Sequence, residues 1–274
     1  MRAKKRLGQN FLVDRNYQER IIAAARPSAG ETIVEIGPGL GALTRLLLTS
    51  GAHVVAVELD AELAQALRRE FAGNANLRVV HADALEVDFV NLIPPSTTAR
   101  VVANLPYYIS TAIISHMIEA RRSVSEMIVM LQREVVERIV ASPGGKEYGY
   151  LSVIVQFYCE ARRLFDVPPS AFKPSPKVYS SVMRLTVRKE PLVSVRSEKE
   201  FVQTTQIIFA HRRKTILNNL RASKLSLAPV WRDGTAIERT ESESGVNLTR
   251  RAETLSIEEI GRLSDAVHYY TQTS

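Results

Sequence analysis

Between Glu31 and about Arg133 the chain alternates short β-branched runs with longer stretches whose apolar residues recur at helical spacing. Thr32–Ile36, His53–Glu58, Leu77–His81, Arg100–Ala103 and Met127–Leu131 read as strands, apolar on both faces as buried parallel strands are. Ala42–Ser50, Ala61–Phe71 and Thr111–Ala120 read as helices, with Asp60 as N-cap of the second and Ser110 of the third. This alternation predicts a doubly wound, Rossmann-like α/β sheet with helices on both faces. Leu151–Cys159 fits helix or strand, with helix favoured. Ala161–Val167 and Ser180–Val187, joined by a Pro-rich turn, read as an antiparallel pair closing the sheet. The sheet domain is expected to span residues 1–191.

Beyond Glu198 the strand signal stops. Phe201–Ala210, Arg213–Arg221 and Ser256–Tyr269 have helical periodicity, and Ser256 with Glu259 has capping-box spacing. A small all-α domain is expected over 192–274.

Composition narrows the class. With 45% apolar and 24% charged residues the chain folds, and 274 residues make one or two domains. The single cysteine, Cys159, excludes an internal disulfide and a cysteine metal cage, which suits a reducing compartment. Apolar runs such as Met127–Leu131 are far shorter than the roughly 20 residues a bilayer requires. No apolar segment follows the basic start Met1–Arg6, so no secretory signal is expected. These features predict a soluble cytoplasmic protein without a membrane partner.

The net charge of +7 is unevenly spread: +5 over residues 1–30, −5 over 31–160, +10 over 161–224 and −3 over 225–274. An acidic centre flanked by basic segments suits a polyanionic partner such as nucleic acid, bound by counterion release. Solvated basic surface gives the same pattern, so charge alone leaves both readings open. The +10 segment includes Lys173, Lys177 and the run His211–Lys214. Read as the opening of a helix, that run would oppose the helix dipole, which favours contact with RNA through Arg212, Arg213 and Lys214 over a stabilising role.

Candidate chemistry sits at the strand ends. Ile33–Gly41 is a strand running into a turn with Gly37, Gly39 and Gly41, spaced G-x-G-x-G and not as the G-x-G-x-x-G of a pyrophosphate site. Glu58 ends the next strand, where a carboxylate can take both ribose hydroxyls, and Asp83 follows the third, placed to accept from an adenine amino group. Glu35, inside the first strand, is placed to orient the glycine turn. Adenosine without pyrophosphate points to S-adenosylmethionine. After the fourth strand comes Asn104-Leu-Pro-Tyr-Tyr108. The Asn104 amide oxygen and the Leu105 carbonyl can accept the two N–H groups of an exocyclic amine, aiming its lone pair at a methyl donor. Pro106 fixes the turn, and Tyr107 offers a face to a base taken out of its helix. Five histidines without ligand spacing give no metal site.

Gln9-Asn-Phe-Leu12, Glu35–Gly41, Asn104–Tyr107 and Phe172–Ser180 together resemble the small-subunit ribosomal RNA adenine N6,N6-dimethyltransferases, the KsgA type. Arg212–Thr215 with Asn218–Leu220, and Arg251–Leu255, resemble that family's C-terminal signatures, so the likeness runs from about Arg6 to Leu263. It implies dimethylation of two adjacent adenines in the 3′-terminal hairpin of small-subunit rRNA, by a monomer acting on immature small subunits. It also implies that Asn10, Leu12, Gly37, Glu58, Asp83 and Asn104 contact S-adenosylmethionine, with Gly39 beside them. Phe172 would stack on the flipped adenine opposite Tyr107, and Lys4–Phe11 would form a lid over the cofactor. Without the resemblance, Phe172 reads equally well as a core aromatic. An Erm-type methyltransferase of large-subunit rRNA is the nearest rival, disfavoured by the Phe172–Ser180 and Arg251–Leu255 motifs. A non-catalytic assembly or transcription factor on the same fold is the second.

Overall fold

The computed structural model describes residues 9–94, 97–223 and 230–271, so residues 4–8 of the expected lid lie outside them. The chain opens with β1 (Phe11–Leu12) and α1 (Arg15–Ala25), followed by β2 (Thr32–Ile36), α2 (Ala42–Thr49), β3 (His53–Glu58) and α3 (Ala61–Glu70). Next come β4 (Leu77–His81), α4 (Phe89–Leu92), β5 (Ala99–Asn104), α5 (Ser110–Glu119), β6 (Val124–Gln132) and α6 (Arg133–Ile139). Then α7 (Tyr150–Tyr158), β7 (Cys159–Val167), β8 (Phe172–Lys173) and β9 (Ser180–Val187) complete the strands. Four helices follow: α8 (Glu198–Ile208), α9 (Ile216–Arg221), α10 (Gly234–Ser244) and α11 (Ile257–Thr271).

Seven strands form one sheet in the order β4-β3-β2-β5-β6-β9-β7. From β4 to β6 neighbours run parallel, and β9 pairs antiparallel with β6. The pairings Ile36↔Val57, Ile36↔Ala103, Glu58↔His81 and Asn104↔Met130 bring the carboxyl ends of β2, β3, β4 and β5 to one edge. In an open parallel sheet that edge is where ligands bind. A separate two-stranded ribbon pairs β1 with β8, Leu12 opposite Phe172.

The residues form two compact units. One holds the chain up to Val136 together with Glu160–Val187, and the other holds Glu137–Cys159 with the chain from Arg188 onward. The expected division at residue 191 is therefore crossed by 137–159. The reason is that α7 is apolar nearly all round, and Phe157 stacks on Phe201 of α8 with ring centroids 3.9 Å apart.

Local signals explain most element boundaries. The Asp60 carboxylate accepts from Glu62 N at 3.0 Å, capping α3. Ser256 and Glu259 make both capping-box bonds, at 2.8 and 3.2 Å. Ser110 is a correction: α5 starts at this residue after Ile109, and its hydroxyl donates to Tyr107 O at 3.2 Å. A second correction concerns α9, which begins at Ile216 because the Thr215 hydroxyl caps it through Asn218 N. Residues 211–214 form a turn ahead of that helix, so the dipole argument for their RNA role falls away. Among the described residues, no helix is long and apolar enough to cross a membrane.

Candidate active site

The glycine loop joins β2 to α2 and takes its shape from the strands beside it. Gly37 N–H donates to Val57 O at 2.9 Å, and Gly41 N–H closes a turn on Pro38 O at 2.9 Å. Gly39 has φ +59°, and a Cβ there would lie 3.1 Å from the Phe11 ring; one on Gly41 would come within 2.8 Å of Leu67. Glycine is thus demanded by both backbone conformation and space. The loop is tied to β3 by Gly39 N–H, which donates to Glu58 Oε2 at 3.0 Å.

Glu58 is 5% exposed, and its other oxygen accepts from Asp60 N at 2.9 Å. Burial pushes its carboxyl above the ordinary range, and the two backbone donors only partly offset that. Glu35, also buried, accepts from the Thr44 hydroxyl of α2 at 2.6 Å, clamping the helix across the glycine loop. Asp83 is half-buried and uses Oδ1 to accept from Leu85 N at 2.9 Å.

The Asn104 loop closes the other side. Its amide nitrogen donates to Asn10 O at 3.1 Å, which joins the segment ahead of β1 to the end of β5. Leu105 is 1% exposed and its N–H donates to Met130 O at 3.2 Å, so its carbonyl is the polar group it can offer a ligand. The Tyr107 hydroxyl bonds Ser180 Oγ at 2.6 Å, and burial raises its pKa.

One cavity brings these residues together: Asn10, Leu12, Glu35, Gly37, Gly39, Glu58, Asp83 and Asn104–Tyr107 all line it. The wall also holds Leu40, Leu59 and Tyr108, which are 41%, 39% and 58% exposed. Apolar side chains bordering a row of carboxylates suit a nucleoside, with flat base and polar sugar. Leu40 and Leu59 have no role in the sequence analysis and Tyr108 stands there only as the neighbour of Tyr107, for an exposed apolar residue carries no signal until its neighbours are known. It also overlooked Ser180, which orients Tyr107 from a strand distant in sequence.

Phe172 is not brought in. It is 4% exposed and packs in the core with Leu12, Val167 and Ala171, because its pairing opposite Leu12 sends the ring inward. In this ligand-free arrangement the ring that was expected to stack on the base packs behind β1. Lys173 and Lys177 are exposed in the first unit. In the second unit Arg212, Arg213 and Lys214 are all exposed, and Arg212 also pairs with Glu253 at 2.7 Å and donates to Gly145 O at 3.4 Å.

Glu35 gives a first prediction. Burial raises its pKa from 4.5 to about 7, the Thr44 bond opposing and the nearby Glu58 charge reinforcing the rise. The folded state then binds a proton that the unfolded chain has released, so stability falls as pH climbs from 4.5 to about 7. Glu35→Gln removes that slope and should gain up to about 3 kcal/mol over the ligand-free parent at pH 8, with little difference at pH 4. Denaturant melts across this range are the measurement; parallel profiles for the two proteins would contradict it.

Comparison with known proteins gives the family. The profile of the family described as ribosomal RNA adenine dimethylase matches residues 1–266. Ribosomal RNA small subunit methyltransferase A of Shouchella clausii (strain KSM-K16) is 44% identical over 272 residues, covering 97% of this chain and 90% of that protein. Among solved structures, the 23S rRNA methyltransferase ErmE matches with a TM-score of 0.68 at 28% identity, over 94% of this chain and 100% of its own. A dimethyladenosine transferase from Plasmodium falciparum matches with a TM-score of 0.76 at 22% identity, over 96% and 98%, a likeness of fold.

Proposed function

The chain belongs to the ribosomal RNA adenine dimethylase family, and on that premise we propose that its strand-end cavity holds S-adenosylmethionine while the Asn104–Tyr107 loop presents an rRNA adenine. The activity is that of an rRNA adenine dimethyltransferase of the small subunit. The observation that carries the site assignment is the meeting, in one cavity, of glycine loop, Glu58, Asp83 and Asn104 loop.

Those residues suit the cofactor. Gly37 and Gly39 let a ligand approach the backbone, and a side chain on Gly39 would meet Phe11. Each Glu58 oxygen already accepts one N–H and keeps a lone pair for a ribose hydroxyl. Asp83 has Oδ2 for an adenine amino group. Asn10 and Leu12 border the cavity from the β1 side. Bound there, S-adenosylmethionine supplies an electrophilic methyl group on a positively charged sulfur.

The chain's own task is to make a poor nucleophile competent. The lone pair of an adenine amino group is delocalised into the ring. With one N–H accepted by Asn104 Oδ1 and the other by Leu105 O, the nitrogen turns pyramidal and its lone pair points at the methyl group. Both oxygens are fixed dipoles directed at the atom that becomes positive. The bond to Asn10 orients the amide so that its nitrogen end is occupied and Oδ1 serves the substrate. Tyr107, held by Ser180, gives the base its stacking surface. Each methyl transfer leaves the nitrogen cationic until it gives one N–H proton to solvent, so after two transfers the dimethylated product has lost both hydrogen bonds and is released.

The substrate in this reading is two adjacent adenines in the 3′-terminal hairpin of the immature small subunit. Labelled S-adenosylmethionine, unmethylated small subunits and mapping of the label provide the test. Label on those adenines supports the reading; label on large-subunit rRNA would transfer the activity to the ErmE type, and none would end it.

Arg213 and Lys214 are assigned to RNA phosphates, with Lys173 and Lys177 as further candidates. Arg212 differs, because its bond to Glu253 gives it structural work. Arg213→Ala with Lys214→Ala should weaken rRNA binding and lower the slope of log K against log salt by about 2. Binding measured across a salt series decides this, and an unchanged slope places the phosphate contacts elsewhere.

A further inference from the structure

The residue that follows Tyr179 is Ser180, the partner of the Tyr107 hydroxyl. Tyr179 itself leaves 47% of its surface open although it directly precedes an interior strand. Gln132, the last residue of β6, pairs with Ser180, so Arg133 and Tyr179 come together just past the strands. Arg133 N–H donates to Tyr179 O at 3.0 Å, and its guanidinium carbon stands 5.4 Å from the ring centroid. This is the sheet edge that carries Asn104, which pairs with Met130 two residues before Gln132. Val178 beside them is 41% exposed.

An exposed cation–π pair is worth only about 0.5–1 kcal/mol, so stability alone is a weak reason to keep a bare tyrosine ring there. The arrangement instead has the parts of a nucleobase platform. A guanidinium stands over the ring, nearly half of the residue's surface is exposed, and the adjoining side chain ends at the tyrosine that receives the target base. Base stacking on aromatic rings tolerates any base, and a cation beside the ring suits the phosphate that accompanies it.

We propose that Tyr179 and Arg133 form a second base platform, which stacks a nucleotide flanking the target adenine and so sets the register of the RNA over Tyr107. The proposal rests on the rRNA adenine reading above. It gives a use to the adjacency of the two substrates: while one adenine is in the cavity, its neighbour needs a place outside it, and the platform is joined to the cavity wall through Ser180.

The test is steady-state methylation of unmethylated small subunits by the full-length protein and by Tyr179→Ala, Tyr179→Leu, Tyr179→Phe and Arg133→Ala. The alanine and leucine variants should raise KM for the RNA about tenfold, the range of one lost base–aromatic stack, with kcat altered less and cofactor affinity unchanged. Phenylalanine should restore the parent KM, and Arg133→Ala should raise it by a smaller factor. Parent KM in both Tyr179→Ala and Tyr179→Leu would overturn the platform. So would leucine performing as well as phenylalanine, because bulk and not stacking would then suffice. The Phe–Leu pair keeps the decision open to measurement if alanine impairs folding. Failure of the parent protein to methylate any adenine would overturn the underlying reading instead, which keeps the two failures apart.

Discussion

Replacing Asn104 by alanine is expected to lower kcat for rRNA methylation by about 10²- to 10³-fold, the range for deleting one fixed dipole that serves the transition state. The amine nitrogen gains positive charge only as the methyl group arrives, so Oδ1 matters most at that moment. The same change deletes the amide bond to Asn10 O. A neutral hydrogen bond contributes about 0.5–1.5 kcal/mol, so cofactor affinity should fall by no more than about tenfold. Single-turnover rates at saturating cofactor, with calorimetry for affinity, separate the two effects. Asn104→Asp sharpens the test, since the carboxylate keeps acceptors for the amine and loses the donor to Asn10. It should recover part of the rate that alanine loses. Alanine turnover within threefold of the parent would remove Asn104 from the chemistry.

What could be read from the sequence was whatever depends on local pattern. Four of the five parallel strands are largely apolar, whereas the edge strand β4 carries Arg78 and His81 exposed and buries no residue fully; the glycine loop, Glu58, Asp83 and Asn104 each follow or end a strand. Chain order therefore places them at one edge once the sheet is parallel. Helix α10 was not legible because its buried stripe is Ala236, Thr240 and Ser244, two of them polar. Their hydroxyls donate to the carbonyls four residues back, at 2.8 and 2.6 Å, a solution with no apolar periodicity to detect. The packing of Phe172 was hidden for a different reason. Its motif gives the residue, but only the pairing of β8 with β1 decides which way the ring points. Arg212 likewise reads as one of three equivalent cations until Glu253, far along the chain, is found beside it. In each case the missing information is a contact between distant segments, and not a residue type.

Glu58 carries the second large effect. Its two oxygens hold Gly39 N–H and Asp60 N–H, so it shapes the glycine loop and, in the reading above, receives the ribose. Glu58→Gln keeps the side-chain shape but turns one oxygen into a donor, which then faces a backbone N–H. One of the two loop bonds must fail, and the ribose loses a charged acceptor. Hydrogen bonds to a charged group contribute about 1.5–3 kcal/mol each, so S-adenosylmethionine affinity should drop about 100-fold. A purely structural role for Glu58 would also weaken binding, and a 2′-deoxyribose analogue of the cofactor tells the two apart. Removing the 2′-hydroxyl should cost the parent protein affinity and cost the glutamine variant much less, because the partner of that hydroxyl is already changed. The pH dependence has the same origin. Burial raises the Glu58 pKa, so the charged acceptor is lost at a higher pH than for an exposed glutamate. Affinity in the parent should then fall on acidification, and this component should be absent from Glu58→Gln. Equal losses on removing the 2′-hydroxyl in the two proteins would show that the ribose is held by another residue.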